Sequence, residues 1–337
     1  MNTHDWDIHD IAEAAAYLKK GEVVAFPTET VYGLGADATN EEAVRKIFKA
    51  KGRPSDNPLI IHVSSKQQLQ AYVTQIPKEA EAIIERFWPG PCTIVFERKG
   101  PLAPAVTGDL NTVAVRMPDH PVALELIRQA GVPLAAPSAN LSGRPSPTTA
   151  DHVRRDLEGK ISGIIDGGST GVGLESTVID LTNPKRPTVL RPGGVSLEDL
   201  QDTLEHIYLD LHLKDGSQAP KSPGMKYRHY SPDKPVYILP ENAEKQSELV
   251  KAFVLKGERP GLLVSEETAK DLLIPGEYEV YSLGEKAKPE EAASRFYDGL
   301  RMLDQTRASV IFAEAYSETG IGRAYMNRLH KAAEWTE

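Results

Sequence analysis

One cysteine, Cys92, in 337 residues leaves no partner for an internal disulfide and excludes any cysteine-rich zinc site. A reducing compartment fits that usage. The first ten residues are polar and acidic and contain no apolar core of the kind a secretory leader needs. No stretch is apolar over the length of a membrane span, so a soluble cytoplasmic protein is expected. Excess positive charge is also missing: 39 Lys and Arg against 48 Asp and Glu give a net charge of −9. That balance argues against a general nucleic-acid coat, although local basic patches remain open. There is no tandem repeat and no low-complexity tract. The glycine-rich run Gly167-Gly168-Ser169-Thr170-Gly171-Val172-Gly173 lacks the Gly-Lys-Ser/Thr ending of a Walker loop, and a strand follows it where a dinucleotide fold would place a helix. What is present is a hydrophobic content of 40%, ordinary for a packed core, in a chain whose length suggests two domains.

The most informative stretch is Lys49-Ala50-Lys51-Gly52-Arg53-Pro54-Ser55-Asp56-Asn57-Pro58, which runs into the apolar Leu59-Ile60-Ile61-His62-Val63. The preceding helix has Thr39 and Glu42 at capping-box spacing and an apolar face of Val44, Ile47 and Phe48. Gly52 is placed to let the chain leave that helix. Arg53, before a proline, is pushed towards an extended conformation, and Asn57-Pro58 makes a second stiff corner. Lys49 suits the helix dipole alone. Lys51 and Arg53, held between two prolines, suit an anion, phosphate first, and are the candidate catalytic cations.

Taken in order, the chain alternates short strands and helices. An amphipathic helix is expected over 8–20 and a strand over 22–26. The strand leads into Pro27-Thr28-Glu29-Thr30-Val31-Tyr32-Gly33-Leu34-Gly35, a loop of hydroxyls, a carboxylate and a phenol whose glycines would admit a ligand to the backbone. Further strands are expected over 92–96, with Cys92 a small core residue, and over 111–118, with Arg116 near its end and suited to a carboxylate fork. A strand over 132–136 ends in Pro137-Ser138-Ala139-Asn140-Leu141-Ser142-Gly143. Ser138 and Asn140 share a face on an extended chain, and their hydroxyl and amide suit phosphate or ribose oxygens. Strands over 161–166, 178–181 and 188–190 follow, the last closed by Arg191-Pro192-Gly193-Gly194.

A composition shift near Ser217 opens a segment with Pro220, Pro223, Pro232 and Pro235 around Lys226-Tyr227-Arg228-His229-Tyr230. The prolines predict a stiff, extended linker. Its aromatic and basic centre is more than a tether needs and suits a lid over a site, with Tyr227 and Tyr230 against a bound nucleotide. Regular β/α alternation beyond it predicts a small open α/β domain. The expected domains are therefore 8–196, a connecting segment over 197–234, and 235–337.

These motifs together resemble the threonylcarbamoyl-AMP synthase family in its longer two-domain form. The pieces that carry the resemblance are Pro27 to Leu34, Lys51-Gly52-Arg53-Pro54 with Asn57-Pro58-Leu59, Pro137 to Gly143, Glu175-Ser176-Thr177-Val178, Arg191-Pro192-Gly193 and Pro223 to Tyr230. The C-terminal part matches more loosely, through Gly320-Ile321-Gly322 and Asn327-Arg328-Leu329. Cys92 stands where leucine is the more familiar residue, a change of core packing.

The resemblance implies an α/β fold: a YrdC-like twisted mixed sheet with flanking helices, then a smaller Rossmann-like open α/β domain. It implies a reaction in which L-threonine, bicarbonate and ATP give threonylcarbamoyl-adenylate and pyrophosphate. The product would pass to tRNA threonylcarbamoyl-transfer proteins that modify tRNA beside the anticodon, with direct tRNA contact open. Thr30, His62, Arg116, Ala136 and Ser176 would hold threonine. Arg53, Asn57, Thr112, Ser138, Ser146, Arg191 and a linker tyrosine would hold ATP. Magnesium would bridge the phosphates without a dedicated carboxylate cage. Attack on the α-phosphorus needs positioning and charge neutralisation more than a protein nucleophile, and no general base is named. Two rivals stand beside this reading: a non-catalytic module for tRNA or double-stranded RNA, disfavoured by the acidic balance, and an ATP-dependent carbamoyl transferase with another acceptor.

Overall fold

The computed structural model describes residues 2–55, 57–210, 231–272 and 276–334. They divide into two compact units, one made of 2–142, 146–171 and 175–210, the other of 143–145, 172–174 and the described residues from 231 onward. In the first unit the chain runs β1 (His4–Trp6), α1 (Ile11–Lys19), β2 (Val24–Phe26), β3 (Gly33–Asp37), α2 (Glu41–Lys51), β4 (Ile60–His62), α3 (Lys66–Gln70) and α4 (Lys78–Phe87). It continues through β5 (Cys92–Glu97), α5 (Pro104–Thr107), β6 (Thr112–Arg116), α6 (Pro121–Ala130), β7 (Leu134–Ala135) and α7 (Ala150–Leu157). It closes with β8 (Gly163–Ile165), β9 (Thr177–Asp180), β10 (Thr188–Arg191), α8 (Leu197–Gln201) and β11 (Tyr208–Leu209).

The eleven strands form one sheet in the order β1-β8-β2-β3-β7-β4-β6-β5-β9-β10-β11. It is mixed: β4 and β6 run parallel, as do β5 and β9, while β5 and β6 are antiparallel. Alternation along the strands sorts the side chains into two faces. Ile61, Val115, Ile94 and Ile179 join the large core, against Val44 and Ile47 of α2 and Ile83 and Ile84 of α4. Each such buried side chain contributes about 1.5–3 kcal/mol. The alternate residues Ile60, Ala114, Val95 and Val178, with Leu190, form a small separate apolar cluster on the other face.

Three local differences from the sequence reading have physical causes. The acidic N-terminal stretch contains a strand, β1, pairing in parallel with β8 so that His4 lies opposite Gly163. A Cβ on Gly163 would sit 2.1 Å from the Trp6 ring, so the glycine provides the indole's seat. The run Gly33 to Asp37 is strand and not loop, and there its glycines make room for Phe26 and not for a ligand: a Cβ on Gly35 would lie 2.7 Å from the Phe26 ring. The cap of α2 is Asn40, whose Oδ1 accepts from the Glu42 and Ala43 amides, while Thr39 is held by Asp37. Gly52 ends α2 in the left-handed conformation, φ 60°, as expected.

The second unit runs β12 (Val236–Ile238), α9 (Ala243–Leu255), β13 (Pro260–Val264), α10 (Glu266–Asp271), β14 (Glu279–Ser282), α11 (Pro289–Gln305), β15 (Val310–Ala313) and α12 (Gly322–Ala332). Its four strands form a parallel sheet in the order β12-β15-β13-β14. This is the small open α/β domain that the alternation predicts.

Candidate active site

A polar row crosses the first sheet at the ends of four strands. The parallel register of β4 and β6 sets His62 beside Arg116. The antiparallel register of β5 and β6 sets Thr93 opposite Arg116. β9 pairs with β5 so that Thr177 lies beside Cys92, which brings Ser176 to the same end. His62, Arg116, Thr93 and Ser176 each stand two residues from a member of the small apolar cluster, so they extend its face of the sheet. The floor is apolar and the rim polar, the composition of a small-molecule site.

Arg116 is the centre of the row. Its Nη1 donates to Thr30 Oγ1 at 2.9 Å and its Nε to the Gly90 carbonyl at 3.2 Å. Its Nη2 lies 2.6 Å from Glu29 Oε2, with side-chain exposures of 5% and 13%. The two ions touch but are not aligned: Arg116 Nη2 and both Glu29 oxygens are buried without a hydrogen-bond partner among the described residues. Thr28 holds the loop locally, its hydroxyl donating to the Val31 carbonyl at 2.7 Å and lying 2.9 Å from Thr30 Oγ1.

His62 is buried with its ring edge-on to Phe26, and its Nδ1 has no hydrogen-bond partner among the described residues. Burial first, then the Arg116 charge, lower its pKa to about 3. It is therefore neutral at physiological pH and suits orienting a ligand better than proton transfer. Asn57 is fully buried, and both polar atoms of its amide are likewise unpartnered among the described residues. A buried amide in that state is costly unless a ligand satisfies it.

The cationic loop divides its labour. The ammonium of Lys51 is buried and points inward: it donates to the Ser138 carbonyl at 2.5 Å, the Asn140 carbonyl at 2.7 Å and Asn140 Oδ1 at 3.3 Å. Ser138 Oγ donates to the same Asn140 Oδ1 at 2.5 Å. Lys51 thus ties the Ser138–Asn140 loop to the end of α2, a different geometry from the outward phosphate clamp that its charge suggests. Arg53 is half-buried, with Nη2 3.4 Å from the Asn57 carbonyl.

Beyond β9, the Arg191 guanidinium donates through Nη2 to the Ser176 carbonyl at 2.9 Å and to its Oγ at 3.2 Å, and Thr93 Oγ1 lies 2.7 Å from Ser176 Oγ. The loops meet so closely that a Cβ on Gly193 would be 2.2 Å from the Ser176 backbone. Ser146 Oγ donates to Glu175 Oε1 at 2.5 Å. Ala136 is buried and its amide donates to the Ile60 carbonyl, which places it next to β4.

The structure therefore gathers Thr30, His62, Arg116 and Ser176 in one row with Arg191, and gathers Lys51, Ser138 and Asn140 in a second cluster. Thr112 is apart, at the other end of β6 and about 13 Å along the strand from Arg116. It borders a surface cavity lined by Glu97, Arg98 and Thr182 among others. Tyr227 and Tyr230, with the rest of the run Lys226 to Tyr230 at the centre of the expected lid, lie outside the described residues. Sequence reasoning gave no role to Glu29, Thr93 or Glu175. The available signal for Glu29 was its place between two threonines after a buried strand; for Thr93 only strand pairing reveals it.

Residues 16–193 match the family model described as Telomere recombination, and residues 195–334 match the one described as Threonylcarbamoyl-AMP synthase, C-terminal domain. The threonylcarbamoyl-AMP synthase of Bacillus subtilis is 50% identical over 96% of this chain and 92% of its own length. That of Pyrococcus abyssi is 47% identical over 95% and 93%. Among solved structures, P. abyssi Sua5 complexed with L-threonine superposes with a TM-score of 0.91 at 45% identity, covering 98% of both chains.

Proposed function

The chain belongs to the threonylcarbamoyl-AMP synthase family, and from that premise we infer that it joins L-threonine, bicarbonate and ATP into threonylcarbamoyl-adenylate with release of pyrophosphate. The observation that carries this reading is the buried row of Thr30, His62, Arg116 and Ser176. It supplies one planar cation for a carboxylate and hydroxyls for a small polar side chain, over an apolar floor.

In this reading the carboxylate of threonine lies against Arg116, with Thr30, His62, Ala136 and Ser176 around it. Arg191, which already bonds Ser176, stands between the amino acid and the nucleotide. The adenylate runs from there along the sheet face towards Thr112, and its phosphates lie by Arg53, Asn57, Ser138, Asn140 and Ser146. Asn57's unpartnered amide suits a nucleotide oxygen. Lys51 supports from behind by fixing the Ser138–Asn140 loop, and its buried charge adds to the positive field. Among the described residues no three His, Cys, Asp or Glu side chains come together as a metal site. A magnesium ion arriving with ATP would supply further charge neutralisation at the phosphates. The carbamate oxygen attacks the α-phosphorus in line and pyrophosphate leaves, so positioning and charge neutralisation supply the catalysis.

The product would be consumed by proteins that place the threonylcarbamoyl group on tRNA, and a cytoplasmic setting suits that use. No helix among the described residues is long and apolar enough to cross a membrane. Omission assays test the reading. Pyrophosphate release should require threonine and bicarbonate together; release without either points to a plain ATPase, and release with another amine in place of threonine points to a different acceptor.

A further inference from the structure

We propose that Glu29 is the α-amino subsite for the substrate amino acid and the base that takes its proton; this rests on the threonine reading above. Arg116 and Glu29 are mismatched. Glu29 Oε2 and Arg116 Nη2 are 2.6 Å apart, yet neither is hydrogen-bonded to the other, and neither atom has another hydrogen-bond partner among the described residues. Both side chains are almost withdrawn from water. A buried ion pair that is not aligned leaves both partners undersatisfied.

An amino-acid zwitterion corrects both defects at once. Its carboxylate presents acceptors to Nη2, and its ammonium presents donors to the open lone pairs of Glu29. The two charges of the ligand are separated by one carbon, as the two charges of the pair are adjacent in the site. Neither a simple carboxylic acid nor a simple amine fits both ends. The rest of the guanidinium is already fixed, Nη1 on Thr30 and Nε on Gly90, so the edge facing Glu29 is the one left for a ligand.

Glu29 also supplies what the reaction requires first. An ammonium cannot attack carbon. Glu29 accepts one proton from the α-ammonium and becomes a carboxylic acid. The freed nitrogen lone pair then attacks the carbon of bicarbonate, the C–N bond forms, and the bicarbonate hydroxyl leaves as water with the second amine proton. The nitrogen now carries a carboxylate, ready to attack ATP, and Glu29 returns its proton to solvent. The charged and titratable groups facing Glu29 are Arg116 at the end of β6, His120 at the start of α6 with Asp119 beside it, and His62 across Arg116 on β4. His120 Nδ1 is buried and unpartnered among the described residues, and burial lowers its pKa; Glu29 is the carboxylate of the group that touches Arg116.

The test compares Glu29→Gln with the unaltered chain on two ligands, L-threonine and 3-hydroxybutanoate, which keeps the carboxylate and hydroxyl and lacks the amine. By calorimetry the unaltered chain should prefer threonine by about 10- to 100-fold, the range of a charge-assisted hydrogen bond. In Glu29→Gln the preference should collapse to within about threefold, while 3-hydroxybutanoate binding is retained. Turnover of the variant, relative to the unaltered chain, should rise with pH by about tenfold per unit as threonine arrives already deprotonated. A variant that keeps the preference, or weakens both ligands equally with an unaltered pH profile, overturns the proposal and leaves Glu29 a support for Arg116. Should the variant fail to fold, a crystal structure of the unaltered chain with threonine decides: the amino nitrogen within about 3.2 Å of a Glu29 oxygen supports the assignment, and one in contact only with other groups overturns it. If the unaltered chain binds no threonine, the parent reading fails first and this one with it; if it binds threonine with no preference for the amine, only this one fails.

Discussion

Lys51 and Asn140 are joined twice, the buried ammonium donating to the asparagine's carbonyl at 2.7 Å and to its side-chain oxygen at 3.3 Å. Together with the bond to the Ser138 carbonyl, this makes one cation the brace between the end of α2 and the loop after β7. A residue that reads from sequence as a phosphate clamp is built in as a structural anchor of the clamp.

Lys51→Met should therefore cost stability as well as activity. Removing the ammonium takes a charged donor from the Ser138 and Asn140 carbonyls, at about 1–3 kcal/mol. Urea unfolding should show a lower midpoint for Lys51→Met. Arg53→Ala, at a half-buried position, should unfold within about 0.5 kcal/mol of the unaltered chain while its Michaelis constant for ATP rises. Equal stability of both variants would mean that Lys51 is not the brace.

Arg116→Lys keeps the charge and loses the planar fork. The Michaelis constant for threonine should rise by about tenfold or more, with that for ATP nearly unchanged. A selective loss of ATP affinity would mean that the two subsites are exchanged.

The contrast between these two cations shows what a sequence makes legible. Arg116 is readable because a strand end fixes where its side chain goes, and β6 begins and ends within a residue or two of where the apolar pattern places it. Lys51 is not, because its direction depends on Asn140, a partner supplied by a loop that only the folded sheet brings near. The same holds for β1, whose polar residues conceal a strand until Gly163 offers a seat to Trp6, and for β3, whose glycines serve Phe26. Thr93 and Ser176 meet only through the β5–β9 register. The amphipathic helix α1 emerges within the expected 8–20 because its periodicity is internal to the segment.

His62 should make the fold acid-sensitive. Its folded pKa, about 3, lies below its ordinary value of 6.5, so the unfolded chain binds the proton first as pH falls. The contribution is fully present above about 6.5 and is lost on acidification towards 3, by about 1.4 kcal/mol per pH unit through that window. Stability measured at pH 7 and pH 5 should fall less in His62→Gln than in the unaltered chain. Identical losses would show that the imidazole is free to protonate in the fold.

Gly193→Ala places a Cβ 2.2 Å from the Ser176 backbone, a contact that no rotamer relieves. The loop must shift, at about 1–3 kcal/mol, and Ser176 with it. A lower melting temperature with reduced threonine affinity is expected. A variant with unaltered melting and binding would mean that the loops are not held at this spacing.

The central claim is that this site builds one molecule from three. Incubating the protein with ATP, L-threonine and [13C]bicarbonate, then reading the quenched mixture by mass spectrometry, tests it most directly. The account predicts a threonine–carbonyl–AMP species carrying one 13C, formed in step with pyrophosphate and absent when any one substrate is withheld. Pyrophosphate released with no labelled adduct, or an adduct whose mass lacks the label, would contradict it.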